Sequence, residues 1–405
     1  MRLSSFRNQT WYRVALLIGL VACLILLWQV GDQFLTAKWR IPIDDYWRYW
    51  TTWRINRMGY DPYAAANLRF FLKELPVLEK HPDYLPMILV PPWTLAMLSP
   101  FVLPAYASGR ILWWLSSIAI LAICANVIWK LYGGSKRQLG LAWLVAFTLM
   151  PTIWVLMQAQ ITVLVLLGIT GFLYWTRQRQ NDWLAGLSLA LTTIKPQLVL
   201  LLWMAVLFWV IQQRRWKILL GCGLAILAAS LLVVLDNPAV FQQFIHTYLA
   251  NTPVEWKTPT LGYYLRLLMG LDLFWLQLIP LAIGMIWMAI HWFRNRMNWQ
   301  WLEQAQAILW VAFLTSAYSW TYDQVLLLVP ILAAFAAIVN RRGMASLIPS
   351  LGGFLLINAL AIVLHGYYNE QFFIWLAPAL LLWYWFATRT SRKGAGLAEQ
   401  VTGKA

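Results

Sequence analysis

The sequence has few charged residues and few cysteines. Only 11% of its 405 residues are Asp, Glu, Lys or Arg, whereas 61% are hydrophobic, and soluble domains carry roughly 25% charged residues. This shortage of charge excludes a water-soluble fold. The three cysteines lie inside apolar segments without pairing or ligand spacing, at Cys23, Cys124 and Cys222. They indicate neither a disulfide framework nor a zinc site.

Several catalytic motifs are also missing. No Walker, dinucleotide-binding or G-x-S-x-G motif stands in a suitable context, and the four histidines are scattered without metal-ligand spacing. Nucleotide-driven transport, serine hydrolysis and a metal centre therefore have no support from the sequence.

Long apolar segments fill the rest of the chain, as in an all-α polytopic membrane protein. Twelve such segments occur, near 14–35, 106–129, 139–157, 160–176, 183–194, 197–211, 216–235, 273–293, 303–319, 323–339, 344–364 and 371–388. A further run, 87–103, is interrupted by prolines, which favours a helix that lies along the interface rather than one that crosses. We therefore predict a bundle of about 10 to 12 transmembrane helices with both termini on one side.

The basic residues predict which side that is. With 87–103 not crossing, the loops on the side of the termini hold 19 of the 31 Lys and Arg residues and three of the 15 acidic residues, so they carry the whole net charge of +16. Lys and Arg mark cytoplasmic loops. Charge spread over seven short connections fits membrane orientation and argues against nucleic-acid binding.

The segment from 183 to 210 allows two interpretations. As one helix it would place Lys195 in mid-bilayer, at a cost of roughly 3 kcal/mol. Two helices broken at Lys195 and Pro196 fit better, and each half is short. Broken hairpins of this kind are tolerated where they line a cavity.

The distinctive polar residues fall on the predicted external side. Asp44 and Asp45 follow the first span, and paired carboxylates can supply a general base; their spacing alone favours simple solvation. Lys195 and Arg110 can bind an anion or lie at the interface as ordinary basic residues. The other candidates are Gln158 and Gln160 at a hairpin tip, and the aromatic run 318–322 followed by Asp323, which is either a helix cap or a site residue.

These residues occur in an order that resembles glycosyltransferase family 87, polytopic enzymes of the GT-C superfamily. The anchor is Asp45-Tyr46-Trp47-Arg48-Tyr49-Trp50 followed by Gly59-Tyr60-Asp61-Pro62-Tyr63. The proline-rich run around Pro91, Arg110 at a span start, Gln160, Lys195-Pro196-Gln197 and the 318–324 segment follow in the family's order. The sequence departs from the pattern at 158–160, where relatives commonly show Gly-Gln, and at Asp44, which leaves the base ambiguous by one residue.

The resemblance implies a polyprenyl-phosphate-linked sugar donor, typified by mannose, and a glycan or glycolipid acceptor, with no cofactor and no essential metal. Asp45 would act as the base, with Asp44 as the neighbouring alternative. Lys195 and Arg110 would bind the donor phosphate, and Gln160, Asp323, Tyr49 and Trp320 would orient acceptor or sugar hydroxyls.

The remaining expectations concern organisation and location. Residues 1–390 form one transmembrane domain, with an external loop 36–105 that carries interfacial helices, and 391–405 form a disordered cytoplasmic tail. We expect a plasma-membrane protein with cytoplasmic termini and an external site, in contact with membrane lipids. A secondary transporter is the main alternative, although the loop 36–105 has no counterpart in the second half. A non-catalytic subunit of an envelope-assembly complex is another.

Overall fold

The computed structural model describes residues 44–72, 89–251, 256–342 and 344–388. The predicted first span, 14–35, and the tail, 391–405, lie outside these residues. Within the described ranges every regular element is helical. In chain order the helices are α1 Tyr46–Arg57, α2 Ala65–Leu72, α3 Trp93–Val102, α4 Tyr106–Leu131, α5 Leu139–Thr148, α6 Met150–Met157, α7 Thr162–Tyr174, α8 Asp182–Ala190, α9 Leu200–Gln213, α10 Lys217–Asp236, α11 Val240–Ala250, α12 Leu261–Met269, α13 Ile279–Asn295, α14 Trp301–Thr315, α15 Leu328–Arg342, α16 Met344–His365 and α17 Glu370–Thr388.

Six of the described helical segments are long and apolar enough to cross a membrane, which confirms the predicted class. They are Tyr106–Leu131, Lys217–Asp236, Phe274–Asn298, Thr321–Asn340, Leu347–His365 and Glu370–Thr388. The segment Thr321–Asn340 is the central one, because 89% of its apolar window is buried inside the protein, against 28–33% in the other five.

The predicted segment 139–157 is bent rather than straight. The axes of α5 and α6 differ by 63°, and Leu149 between them has an extended backbone with ψ of 118°. Pro151 stands in the first turn of α6, where its missing amide N–H cannot extend the hydrogen bonding of α5 across the bend. The two helices together count as a seventh candidate span.

Hydrogen bonds between loops divide the bundle into two ends. At one end the turns at 44–45, 158–160, 195, 320–323 and 365–370 contact one another. At the other end Tyr132 donates to the carbonyl of Leu302 at 2.8 Å, and Asn340 donates to that of Gly133 at 3.0 Å. In the topology that the basic residues predict, the first group is external and the second is cytoplasmic.

The chain reverses direction at Lys195. The segment Asp182–Ile194 leads to this residue and α9 leads away from it. The ion pair between Asp182 and Arg215 joins the far ends of the two halves, so the halves are antiparallel. Each half spans about 20 Å at 1.5 Å per residue, less than the roughly 30 Å of a bilayer core. We expect Lys195 to lie below the membrane surface.

The short helices α1 and α3 pack against each other at the end that carries Lys195. The indole of Trp53 donates to Ser99 at 3.0 Å, and that of Trp50 donates to the carbonyl of Pro104 at 3.0 Å. Helix α3 has ten residues with Pro100 inside it, so it is too short to cross a bilayer. These contacts hold the start of α1, and with it Asp45, against the bundle.

Candidate active site

Asp45 lies at the turn that begins α1. Its backbone N–H donates to the carbonyl of Gln158 at 3.0 Å, which fixes this turn against the tip between α6 and α7. Its carboxylate accepts a hydrogen bond from the side-chain amide of Gln160 and lies 3.3 Å from Nε of Arg48. The Asp45 side chain is 24% exposed, so the carboxylate is both oriented and accessible.

The ammonium of Lys195 joins three helix ends. It donates to Oε1 of Gln160 at 3.0 Å, to Oγ1 of Thr162 at 3.0 Å and to Oδ1 of Asp323 at 2.8 Å. An ammonium has three donors, so each has an acceptor in the protein. The ammonium also lies 4.7 Å from the centre of the Tyr322 ring. These contacts balance the cost of a cation at a buried helix break.

Asp323 is the counter-ion of Lys195 and is almost fully buried, with 1% exposure. Its Oδ1 also accepts from the hydroxyl of Thr162 at 2.6 Å, and its Oδ2 accepts from the backbone N–H of Trp320 at 3.0 Å. The residue therefore caps the turn before α15 and pairs with the cation as well. A continuous network runs from Asp45 through Gln160 and Lys195 to Asp323.

The backbone geometry at Ala159 distinguishes the two glutamines. Ala159 has a φ of +50°, in the left-handed region that glycine adopts most readily. This turn directs Gln160 into the network, where it is 1% exposed, whereas Gln158 contributes its backbone carbonyl. The residue before Gln160 is glycine in the family's pattern, and in this chain that residue has the backbone conformation that glycine adopts most readily.

Asp44 forms a separate ion pair with Arg110. One carboxylate oxygen lies 2.7 Å from Nε and 2.6 Å from a terminal nitrogen of Arg110, and the other accepts from the backbone N–H of Tyr46 at 3.1 Å. Burial raises the pKa of Asp44 to about 6, although the Arg110 charge opposes the rise. The pair lines a pocket of about 240 Å³ whose other walls are mainly apolar, among them Ile111 and Trp114 of α4 and Leu156 of α6.

Glu370, at the start of α17, is the hub of a further cluster. Its carboxylate accepts from the backbone N–H of Thr321 at 3.1 Å, from the Thr321 hydroxyl and from the indole of Trp154 at 2.7 Å, and it lies 3.2 Å from Nε2 of His365. The His365 ring packs on Trp154 with centroids 3.6 Å apart. Glu370 thereby fixes the turn that carries Trp320 and Asp323.

The structure brings together most of the residues that the sequence singled out. Asp45, Gln160, Lys195 and Asp323 share one network, Tyr49 donates to Gln160 at 3.4 Å, and Trp320 binds Asp323 through its backbone. Burial raises the pKa of Tyr49 well above its ordinary value and keeps its hydroxyl a donor. Arg110 lies beside this network, paired with Asp44.

Sequence reasoning missed four participants, namely Arg48, Thr162, His365 and Glu370. One signal was present for Glu370, because it opens the last apolar segment just as Asp323 opens its own. Thr162 carried no signal, since a threonine in an apolar run satisfies its hydroxyl within the helix in most cases.

The arrangement suits proton transfer beside a charged substrate. An accessible carboxylate is held by an amide and a guanidinium, and two further cations lie around it in a largely buried setting. Electrostatic interactions are stronger where water is excluded. Among the residues that the structure describes, no group of three or more His, Cys, Asp or Glu could hold a metal ion.

The fold and the site together define a multi-pass helical membrane protein with a carboxylate-centred site at one end of the bundle. The sequence profile of glycosyltransferase family 87 matches residues 89–317, more than half of the chain, and the protein belongs to this family. It is a membrane glycosyltransferase. This membership favours the interpretation as an enzyme over those as a secondary transporter or as a subunit of an envelope-assembly complex. No curated protein and no solved structure matches the chain.

The matched range contains some of the candidate site residues and not others. Arg110, Gln160 and Lys195 lie inside it. Asp44, Asp45 and Tyr49 precede it, and Trp320 and Asp323 follow it. The geometry links the two sets, because Gln160 and Lys195 bind Asp45 and Asp323 directly.

Proposed function

We propose that the protein transfers a hexose, with mannose as the first candidate, from a polyprenyl-phosphate donor to a cell-envelope glycan or glycolipid on the external face of the plasma membrane. The observation that carries the proposal is the network in which an accessible Asp45 carboxylate is held through Gln160 to the Lys195 cation. Such a site offers a base for the acceptor and positive charge for the departing phosphate.

Asp45 is the proposed base. As the acceptor oxygen attacks the anomeric carbon, its hydroxyl proton passes to the Asp45 carboxylate, and the bond between that carbon and the phosphate oxygen breaks. Polyprenyl phosphate leaves, and the configuration at the anomeric carbon inverts. Asp45 is preferred to Asp44 because its side chain is 24% exposed, against 3% for Asp44.

The donor phosphate is proposed to bind near Arg110 and Lys195. Arg110 lines the pocket together with Asp44, and the apolar walls at Ile111, Trp114 and Leu156 suit the first units of a polyprenyl chain. Ile111 is 61% exposed on α4, so the pocket is accessible from the lipid side. Lys195 acts through its charge, and direct phosphate contact requires it to exchange one of its three acceptors.

Three other residues position these groups or the substrates. Gln160 uses its amide N–H for Asp45 and its carbonyl for Lys195, which orients the base. Asp323 holds Lys195 and the turn at Trp320. Trp320 is half-buried and can contact the sugar, whereas the buried Tyr49 and Asp323 act on the substrates through Gln160 and Lys195. We propose that the reaction needs neither a cofactor nor a metal, as the family resemblance implies.

The test is transfer of radiolabelled mannose from polyprenyl-phosphate mannose into lipid or glycan in membranes that contain the protein. We expect Asp45→Asn to lower the rate by about 10²- to 10⁴-fold, the usual contribution of a positioned base. Asp44→Asn should lower the transfer rate less, because it weakens only the ion pair that positions Arg110. Asp272→Asn, an exposed aspartate at the same end of the bundle, is the matched control and should transfer normally.

An Asp45→Asn variant that transfers at the unmodified rate would remove Asp45 from the mechanism. If Asp44→Asn alone abolished transfer, the base would be Asp44. If the unmodified protein transferred no mannose, the same membranes would be assayed with other polyprenyl-phosphate sugars, and failure of every sugar would overturn the proposed donor class.

A further inference from the structure

A row of aromatic rings leads away from the Lys195 network. Tyr322 covers the Lys195 ammonium at 4.7 Å, and Trp320 stacks beside Tyr322 with ring centroids 6.3 Å apart and planes at 21°. Trp256 lies 6.2 Å beyond Trp320 and 5.8 Å from Tyr318. These four residues, Tyr322, Trp320, Trp256 and Tyr318, form what we call the aromatic platform.

The platform is fixed at one end and accessible at the other. The turn that carries Trp320 is held by Asp323 and, through Thr321, by Glu370. Tyr322, Trp320 and Tyr318 are half-buried, whereas Trp256 is 37% exposed. The turn thus holds the inner rings beside the Lys195 network, and Trp256 continues the row to the protein surface. Preorganisation of this kind favours ligand binding.

The surroundings of the platform differ from those of a membrane-anchoring aromatic belt. Belt residues anchor a helix by placing their rings among lipid headgroups. The platform rings instead contact one another in sequence, and the row starts at an ammonium and a carboxylate. The neighbour of Trp256 is the exposed Lys257. This combination of polar groups at both ends and aromatic faces between them is typical of carbohydrate-binding surfaces, since the C–H face of a sugar packs on an aromatic ring.

We infer that the aromatic platform is a binding site for an extended glycan, in which the reacting sugar lies at the Lys195 network and the preceding sugar units lie along Trp320 and Trp256. The ligand is therefore an oligosaccharide of at least two or three units rather than a single sugar. The identification of this glycan as the acceptor rests on the proposed function. The binding of the glycan to the platform does not depend on that function.

The experiment compares binding of short and long sugars to purified protein in lipid nanodiscs, because maltoside detergents carry competing sugars. The probes are methyl α-mannoside, α-linked mannotriose and maltotriose, measured by saturation-transfer NMR titration. Stacking tolerates different sugars, so we expect at least one trisaccharide to bind roughly three- to tenfold more tightly than the monosaccharide.

Three variants of the platform make the test specific. Trp256→Ala should remove the advantage of the trisaccharide, and Trp256→Phe should keep most of it because an aromatic face is retained. The matched control is Trp275→Ala, a tryptophan with 58% exposure that follows Phe274 and lies outside the platform. This control should bind as the unmodified protein does. Equal thermal stability of the variants shows that folding is intact.

The outcomes separate the platform from the proposed reaction. The inference is overturned if no trisaccharide outcompetes the monosaccharide, or if Trp256→Ala keeps the full advantage. The variant Asp45→Asn should keep the preference for the trisaccharide over the monosaccharide and should lose sugar transfer. If the unmodified protein binds the trisaccharide but transfers no sugar, the proposed reaction is refuted and the platform is supported. If it transfers sugar but does not prefer the trisaccharide, the platform is refuted and the reaction is supported.

Discussion

At the scale of single residues, the site depends on one backbone conformation that its side chain does not favour. Ala159 adopts a φ of +50°, and its carbonyl accepts from the indole of Trp113 at 2.9 Å. The left-handed conformation costs a non-glycine residue roughly 1–2 kcal/mol. The surrounding contacts maintain it, and the conformation delivers Gln160 to Asp45.

Replacing Ala159 by Gly should relieve this cost. Since glycine also loses more chain entropy on folding, about 0.5–1 kcal/mol, we expect a net gain of up to about 1 kcal/mol. The measurement is the thermal unfolding midpoint in a fixed detergent, together with sugar transfer, which should be retained. Ala159→Val should lower both the unfolding midpoint and the rate of sugar transfer. A lower midpoint for the glycine variant would argue that the turn is not strained.

At the scale of helices, the broken hairpin at Lys195 is positioned by close packing of α8 on α10. A Cβ atom added at Gly186 would lie 2.1 Å from the carbonyl oxygen of Ile218 and 2.9 Å from the amide nitrogen of Cys222. Both neighbours are backbone atoms and cannot rotate away. Small residues allow helices to approach this closely in membrane proteins.

We therefore expect Gly186→Ala to separate the two helices and displace Lys195, lowering the unfolding midpoint and sugar transfer together. The loss should be about 1–3 kcal/mol, the usual cost of overpacking. Gly223→Ala is the matched control, because this exposed residue directly follows Cys222 in α10 and has nothing within 4 Å of the added atom. Because alanine is the better helix former by about 1 kcal/mol, this control should be neutral or slightly stabilised. Equal behaviour of the two variants would contradict the packing argument.

At the scale of the whole molecule, the described loops lie at two ends, and 19 of the 31 Lys and Arg residues fall in segments that the sequence predicts to be cytoplasmic. The hydrogen bonds that join 158–160, 195, 321–323 and 365–370 belong to the end with the candidate site. The orientation of that end toward the outside is a prediction from the positions of Lys and Arg.

Cysteine labelling tests the orientation. In a background without the native cysteines, Asn369→Cys and Asn298→Cys place one thiol at each end, and both asparagines are exposed. We expect a membrane-impermeant maleimide to label position 369 in intact cells and position 298 only after the cells are permeabilised. The reverse pattern would place the site on the cytoplasmic side and exclude a donor that arrives from the outer leaflet.

The sequence by itself determined the class of the protein and much of its outline. Runs of apolar residues specify membrane helices because a bilayer leaves few alternatives for the backbone, and Pro196 specifies the break at Lys195 because proline lacks an amide donor. The positions of Lys and Arg predicted which loops meet. The motif around Asp45 and the lysine at the break predicted most of the residues that the structure joins in one hydrogen-bond network.

Only the tertiary structure decided how those residues pair. Lys195 meets Asp323, 128 positions away, and Gln160, 35 positions away, and no periodicity in one sequence encodes such partners. Whether a polar side chain is buried or paired depends on neighbouring helices. For this reason the sequence did not predict the roles of Glu370 and Thr162, and it could not distinguish Asp44 from Asp45. Distances between separate helices set the ion pairs and the accessible carboxylate, and those distances exist only once the bundle has packed.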